Sequence, residues 1–112
     1  MMSTGLPWEF LKRKLQFLST DYGNVFVDLG IVDESGNQVA YAGPHSLANV
    51  NYAEAEWFKT AWTNDSYISD VFLGLRGTPH FIVTVKQNEG GHWFLIRATI
   101  DFMSFNSLVN DY

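Results

Sequence analysis

The chain has 112 residues, of which 46% are hydrophobic and 17% are charged, as is typical of one folded globular domain. The net charge of −5 and the total of seven Lys and Arg argue against nucleic-acid binding, which requires clustered positive charge. The absence of cysteine excludes disulfide bonds and zinc-thiolate or iron–sulfur sites.

Residues 5–22 are predicted to form a helix. Pro7 suits the first helical turn, and Glu9 suits the positive potential of the helix start. At Val25 the apolar period changes from helical spacing to two, which begins the predicted core of residues 25–100. The apolar residues that recur at helical spacing before that point are Leu11, Leu15, Leu18 and Tyr22.

A hairpin and a short helix are predicted next. Residues 33–37 suit the hairpin turn, where Gly36 is free to take a positive φ, and residues 38–43 form the returning strand. Asn51 is expected to cap the short helix, with Glu54 as its capping-box partner. The aromatic residues of this segment are Tyr52, Trp57, Phe58 and Trp62.

The remaining sequence predicts three strands, at residues 67–76, 80–86 and 92–100. Asp101 is expected to cap a helix that starts in residues 101–112. The order of these elements predicts an α+β fold in one domain that spans residues 1–112. A five-stranded antiparallel sheet would carry the long N-terminal helix on one face and the short aromatic helix on the other.

Alternation along the last three strands predicts a candidate site. One face of each strand is apolar, and we expect these faces to pack against the N-terminal helix. Polar residues on the other faces would converge beneath the aromatic helix and hold a small polar molecule: Asp70, Arg76, His80, Arg97 and Asp101. In a second interpretation, Arg97 pairs with Asp70, or Arg76 with Asp101, and no ligand is involved.

No catalytic motif is present. The three His residues lack metal-ligand spacing, and no nucleophile with a base or phosphate-binding loop can be identified. We therefore predict no enzymatic activity, no catalytic residue, no metal site and no cofactor. A small enzyme would need a convergent acid–base pair that the sequence does not display.

Four segments in this order and spacing resemble a Cache domain: LGIVDESGNQVAYAGP, NYAEAEWFKTAW, YISDVFLGLRGTPHFIVTV and FLIRATID. Cache domains are the extracytoplasmic, PAS-like sensor modules of bacterial histidine kinases and chemoreceptors, and the resemblance covers residues 25–101. It implies a PAS-like sheet with a ligand cavity beneath the aromatic helix. It also implies a periplasmic or extracellular part of an inner-membrane protein, above all a two-component sensor histidine kinase.

The resemblance further implies that the terminal helices transmit the signal and that the domain forms a homodimer through its N-terminal helix. Phe10, Leu11, Phe17 and Leu18 support such an interface. One branch of the family binds amino acids through a Tyr, an Arg, a Trp followed by an aromatic residue, and an Asp. This chain has Ala55 at the position of that Arg, and the matching residues are Tyr52, Trp57, Phe58 and Asp101.

The ligand is therefore predicted to be a small polar molecule, such as an organic acid or an amine, and the missing Arg argues against an amino acid. The complete predicted ligand-binding set is Tyr41, Tyr52, Trp57, Phe58, Asp70, Arg76, His80, Arg97 and Asp101. As an alternative, the chain is a PAS-like interaction or dimerisation domain that binds no small molecule, and its aromatic residues are merely core.

Overall fold

Three helices and six strands make up the domain in a computed structural model that describes residues 6–44, 50–73 and 77–110, without the side chains of residues 6–8. Their bounds are α1 (Leu6–Tyr22), a 3-10 turn (Gly23–Val25), β1 (Phe26–Asp33), β2 (Gln38–Ala42), α2 (Glu56–Ala61), β3 (Ser66–Ile68), β4 (Phe72–Leu73), β5 (Pro79–Glu89), β6 (His92–Asp101) and α3 (Phe102–Asn110). Within these described residues, no helix combines the length and hydrophobicity needed to cross a bilayer.

All strands join one antiparallel sheet in the order β2-β1-β6-β5-β3, and β4 also pairs with β5. The longest pairing is the β5–β6 hairpin, which runs from His80 opposite Asp101 to Glu89 opposite His92. The predicted α+β, PAS-like architecture is confirmed. The sheet has six strands instead of five because the predicted strand at residues 67–76 is divided.

Ser69 is the residue that divides this strand. Its backbone N–H donates to the carbonyl of Ile82 at 2.8 Å, while its side-chain hydroxyl accepts the N–H of Ile82 at 2.8 Å. The hydroxyl thus takes the place of a backbone acceptor, and the ladder between the two strands is interrupted. The strand resumes at β4, and residues 74–76 lie outside the described part of the chain.

The predicted cap of the aromatic helix is wrong. Helix α2 begins at Glu56, and its N-cap residue Ala55 makes no side-chain capping bond. Asn51 instead fastens this segment to the β1–β2 turn: its Nδ2 donates to the carbonyl of Ser35 and to Oδ1 of Asn37. Its own Oδ1 accepts the N–H of Ala53, so the side chain forms a local turn and leaves the helix end uncapped.

Helices cover both faces of the sheet. On one face α1 packs mainly on β1 and β2, where Leu11 lies against Leu29 and Ile31. On the opposite face Phe58 and Ala61 of α2 pack against Val32 and Leu95. The two faces alternate along the strands as expected, because the neighbours Ile31 and Val32 belong to different clusters.

One part of the face prediction needs correction: the cluster beneath α1 includes Phe94 and Ala98 on the apolar side of β6, but it does not extend to the apolar side of β5. Phe81 and Val83 are packed by Phe102 and Leu108 of α3 instead. Val85 on the same side is exposed, as are the apolar residues of the divided strand: Ile68, Val71, Phe72 and Leu73. An α-helix is about 10 Å wide, which is less than the width of five adjacent strands, so one helix cannot cover the whole face of the sheet.

The turn at Gly36 positions the segment that carries Tyr52, and this predicts a sharp effect of substitution. Gly36 has φ of +89°, its carbonyl accepts the N–H of Tyr52, and an added Cβ would lie 2.6 Å from the backbone nitrogen of Ala53. Gly91 has nearly the same φ, +85°, but nothing lies within 4 Å of an added Cβ. We expect Gly91→Ala to lower the free energy of unfolding by about 1–3 kcal/mol through backbone strain alone.

Gly36→Ala should be more destabilising than Gly91→Ala, since backbone overlap adds to the same strain. Urea denaturation of the two variants measures this difference. Equal destabilisation would show that the close approach of Gly36 to Ala53 contributes nothing.

Candidate ligand-binding site

A row of residues crosses the middle of the sheet on the face that α2 covers. Tyr41, Gly30, Arg97 and Thr84 lie opposite one another on β2, β1, β6 and β5. Arg97 is only 2% exposed although it lies on a central strand. A Cβ at Gly30 would lie 3.0 Å from Nη2 of Arg97 and would overlap the side chain of Gln38. The absence of a side chain at Gly30 therefore makes room for the guanidinium.

The guanidinium of Arg97 is held by three buried or half-buried partners. Its Nη1 donates to Oδ1 of Asp28 at 2.9 Å and to the hydroxyl of Thr99 at 2.6 Å, and its Nη2 donates to Oε1 of Gln38 at 2.8 Å. The hydroxyl of Tyr41 donates to the other oxygen of Asp28 at 2.9 Å. Because a buried charge is costly without a counter-charge, the Asp28–Arg97 pair is the electrostatic centre of this cluster.

Tyr52 connects the cluster to the aromatic residues of α2. The guanidinium carbon of Arg97 lies 5.6 Å from the centroid of the Tyr52 ring, within cation–π distance. The Tyr52 ring is 5.0 Å from that of Trp57, and the series continues through Phe58 to Trp62 at 6.0 and 5.7 Å. Rings thus extend from the buried charge pair to the end of α2.

Burial raises the pKa of the Tyr52 hydroxyl above its ordinary value of about 10. The positive charge of Arg97 acts in the opposite direction, the negative charge of Asp28 raises the pKa further, and a hydrogen bond with Gln38 lowers it. Desolvation dominates, so the neutral phenol is the favoured form in the folded protein.

Two polar atoms of the cluster have no hydrogen-bond partner among the described residues: Nε of Arg97 and the hydroxyl oxygen of Thr84. The two residues are paired across β5 and β6, so both atoms belong to one place on the sheet. Buried polar groups are normally satisfied, because each unsatisfied one costs about 1–3 kcal/mol. A small molecule with an acceptor atom here would satisfy the Nε–H of Arg97 and could also bond with the Thr84 hydroxyl.

The structure brings together only part of the predicted site. Tyr41, Tyr52 and Arg97 belong to the cluster, and Trp57 contacts it through Tyr52. Phe58 is buried in the core between α2 and the sheet.

The other predicted residues lie elsewhere. Asp101 caps α3 by accepting the N–H of Ser104 at 3.0 Å, and His80 lies opposite it, beside the ring of Phe72. Asp70 is exposed between strands, and Arg76 is outside the described residues. The proposed Arg97–Asp70 ion pair is wrong, because the carboxylate that Arg97 contacts is that of Asp28.

Sequence reasoning missed Asp28, Gln38 and the distinct roles of Thr84 and Thr99. One signal was available, since Asp28 interrupts a strand that is otherwise apolar and shares a face with Gly30. A charge at such a position requires a buried counter-charge, and Arg97 is the charged residue in the interior of a similarly apolar strand.

Across residues 6–44, 50–73 and 77–110, no three His, Asp or Glu side chains converge as they would to hold a metal ion.

Comparison with known proteins identifies solved structures with a similar fold. No protein-family model matches the sequence, and no curated protein does. A solved structure described as the extracellular domain of the putative histidine kinase vpHK1S-Z8 superimposes with a TM-score of 0.71 over 89% of this chain, at 14% identity. The corresponding domain of the putative histidine kinase rpHK1S-Z16 also gives 0.71, over 99% of this chain, at 16% identity.

These likenesses confirm the predicted fold, which the chain shares with two structures described as extracellular domains of putative histidine kinases. The chain spans 42% and 46% of the two structures, so it corresponds to less than half of each.

The buried pair predicts a large loss of stability when one partner is neutralised. Asp28→Asn keeps the side-chain shape but leaves Arg97 without a counter-charge, so we expect the free energy of unfolding to fall by about 3–5 kcal/mol. Glu56→Gln is the matched control, because Glu56 contacts Lys59 at 3.9 Å on the surface. That variant should change stability little. Similar melting temperatures for the two variants would contradict the central role of the pair.

The raised pKa of Tyr52 predicts a loss of stability in alkali. The neutral phenol of Tyr52 contributes to the free energy of unfolding, and this contribution is fully present below about pH 10. It is lost as the pH rises through the higher pKa that Tyr52 has in the folded protein. In Tyr52→Phe we expect this part of the pH dependence to disappear, as measured by urea denaturation between pH 8 and pH 11. An unchanged slope in the variant would show that Tyr52 does not titrate as described.

Proposed function

We propose that the chain is an extracytoplasmic ligand-sensing domain of a transmembrane receptor, above all a two-component sensor histidine kinase. The fold that it shares with extracellular domains of putative histidine kinases supports this class. The single observation that carries ligand binding is the pair of unpartnered buried atoms, Arg97 Nε and Thr84 Oγ1, on neighbouring strands.

The ligand that suits this place is small, polar and equipped with an acceptor oxygen. Asp28 already compensates the charge of Arg97, so the available interactions are one N–H donor and one hydroxyl. A small organic acid can place an oxygen against both. Because Arg97 and Thr84 are almost fully buried, access requires movement of the segment that carries Tyr52.

The signal would pass along β6 into α3. Arg97 lies four residues before Asp101, which is the last residue of β6 and caps α3. A ligand that binds more tightly when β6 is in one position would therefore also favour one position of the start of α3. Its difference in affinity would shift the equilibrium between these two arrangements of β6 and α3. The parent protein would be anchored in the inner membrane and carry the output domain.

A homodimer through α1 is part of the same proposal. Leu11 faces the core and is 1% exposed, so it is committed to the domain itself. Phe10 and Phe17 are 48% and 60% exposed and remain available for a partner. The interface would therefore use these two rings, while Leu11 and Leu18 pack on the sheet.

The alternative, an interaction domain without a ligand, is favoured by one observation. Phe58 is buried, and the rings from Tyr52 to Trp62 follow one another at centroid distances of 5.0 to 6.0 Å, as in a packed core. In that case the aromatic residues of α2 contribute only stability, and no small molecule stabilises the fold.

The variant Thr84→Val distinguishes a ligand-sensing domain from an interaction domain that binds no ligand. Replacement of an unpartnered hydroxyl by a methyl group of similar size should leave the melting temperature of the free protein unchanged or higher. The matched control is Thr99→Val, which removes an acceptor of Arg97 and should destabilise the protein by about 1–3 kcal/mol.

Both variants and the wild type are screened by thermal shift against small carboxylates, amino acids and amines. We expect at least one compound to stabilise the wild type, by about 2.7 kcal/mol at one hundred times its dissociation constant. Thr84→Val should lose most of that stabilisation. The ligand site fails if no compound raises the melting temperature, or if Thr84→Val responds as the wild type does.

A further inference from the structure

An open groove lies on the same face of the sheet as the Arg97 cluster, at the end remote from α3. It has a volume of about 340 Å³ and is lined by Glu34, Trp62, Lys86 and Trp93. Glu34 is in the β1–β2 turn, Trp62 directly follows α2, and Lys86 and Trp93 lie on β5 and β6. The volume falls within the range of about 300–1,000 Å³ that is usual for small-molecule sites.

Lys86 is held between two indole rings. Its Nζ lies 5.1 Å from the ring centroid of Trp93 and 5.6 Å from that of Trp62, and it donates to the Trp62 carbonyl at 2.8 Å. An ammonium has three donors, so this single bond leaves further donors for a ligand. The two rings fix the position of the charge without neutralising it.

Glu34 supplies the opposite charge and an acceptor. Its Oε1 accepts the backbone N–H of Trp93 at 3.3 Å, which orients the carboxylate toward the start of β6. The groove therefore carries one fixed donor group and one fixed acceptor group. A ligand with a net charge would meet a like charge at Lys86 or at Glu34, whereas a neutral ligand with hydroxyls can bond with both.

The aromatic rings supply flat apolar surfaces. Trp93 is 43% exposed, so one part of its ring is open to solvent. Trp62 is braced edge-on by Phe58 at 5.7 Å, and its Nε1–H is buried without a partner among the described residues. An exposed indole beside charged hydrogen-bonding groups suits a molecule that has one apolar face and polar edges.

We propose that this groove binds a neutral saccharide. The C–H face of a pyranose ring stacks on Trp93, while its hydroxyls accept from Lys86 and donate to Glu34. This second site adjoins the Arg97 cluster, since Lys86 and Leu95 form the next pair on this face beyond Thr84 and Arg97, but the two share no residue. The inference therefore stands independently of the function proposed above.

Calorimetric titration of the whole chain tests the groove with named probes. Glucose, galactose, maltose and cellobiose are the neutral sugars, and glucuronate and glucosamine are their charged analogues. We expect saturable binding of at least one neutral sugar and binding of the charged analogues that is weaker by about tenfold or more. Trp93→Ala should weaken sugar binding by a similar factor, since aromatic anchors dominate such contacts.

Four further variants complete the test. Glu34→Gln and Lys86→Met each remove one charge and should each weaken binding of the neutral sugar. Phe72→Ala is the matched control, because Phe72 has a similar exposure of 41% but lies near α3, and it should bind sugar as the wild type does. Thr84→Val should also leave sugar binding unchanged.

The inference is overturned if none of the four neutral sugars binds, or if Trp93→Ala retains the wild-type affinity. It is equally overturned if Thr84→Val abolishes sugar binding, since the sugar would then occupy the Arg97 cluster. A circular dichroism spectrum of Trp93→Ala that matches the wild type shows that a loss of binding is not a loss of fold.

Discussion

The fold is arranged around one buried ion pair, Asp28 with Arg97, in the two central strands of the sheet. Its position sets requirements on its neighbours. Gly30 must lack a side chain, and Gln38, Tyr41 and Thr99 must supply polar atoms on the same face. Such a pair contributes little net stability compared with an apolar core of the same volume. We therefore regard it as a specificity feature that fixes the register of β1 against β6.

The polar centre divides the α2 face into two regions with different chemistry. Around Arg97 the surface is closed and charge-balanced, and the guanidinium lies over the ring of Tyr52. Beyond Leu95 the face opens into the groove between Trp62 and Trp93. One face of a sheet can thus carry an enclosed polar cluster and an open groove, because burial varies along the strands while the side-chain alternation stays constant.

Sequence reasoning predicted the order of the elements and failed where side chains compete with the backbone. Strict alternation in β5 and β6 was sufficient to assign the faces of Arg97 and of Thr84. The cap at Asn51 and the strand through Ser69 were wrong for one reason: each polar side chain accepts a backbone N–H, that of Ala53 for Asn51 and that of Ile82 on the paired strand for Ser69. Asp28 was missed because its counter-charge, Arg97, lies far away in the sequence. Which charges meet across 69 residues depends on strand pairing, and spacing along the chain does not reveal it.

The interruption at Ser69 also has a consequence for solubility. It lies where the outer side of β5 is covered only by two short strands, with Ile68 and Leu73 exposed. A continuous strand from residue 66 to residue 73 would present a long, straight and apolar edge, which is the geometry that recruits other chains into aggregates. Within the described residues, the break keeps each edge segment to two or three residues, too short to template a foreign strand. One hydroxyl thus interrupts what would otherwise be a continuous apolar edge, which lowers the tendency to associate through that edge.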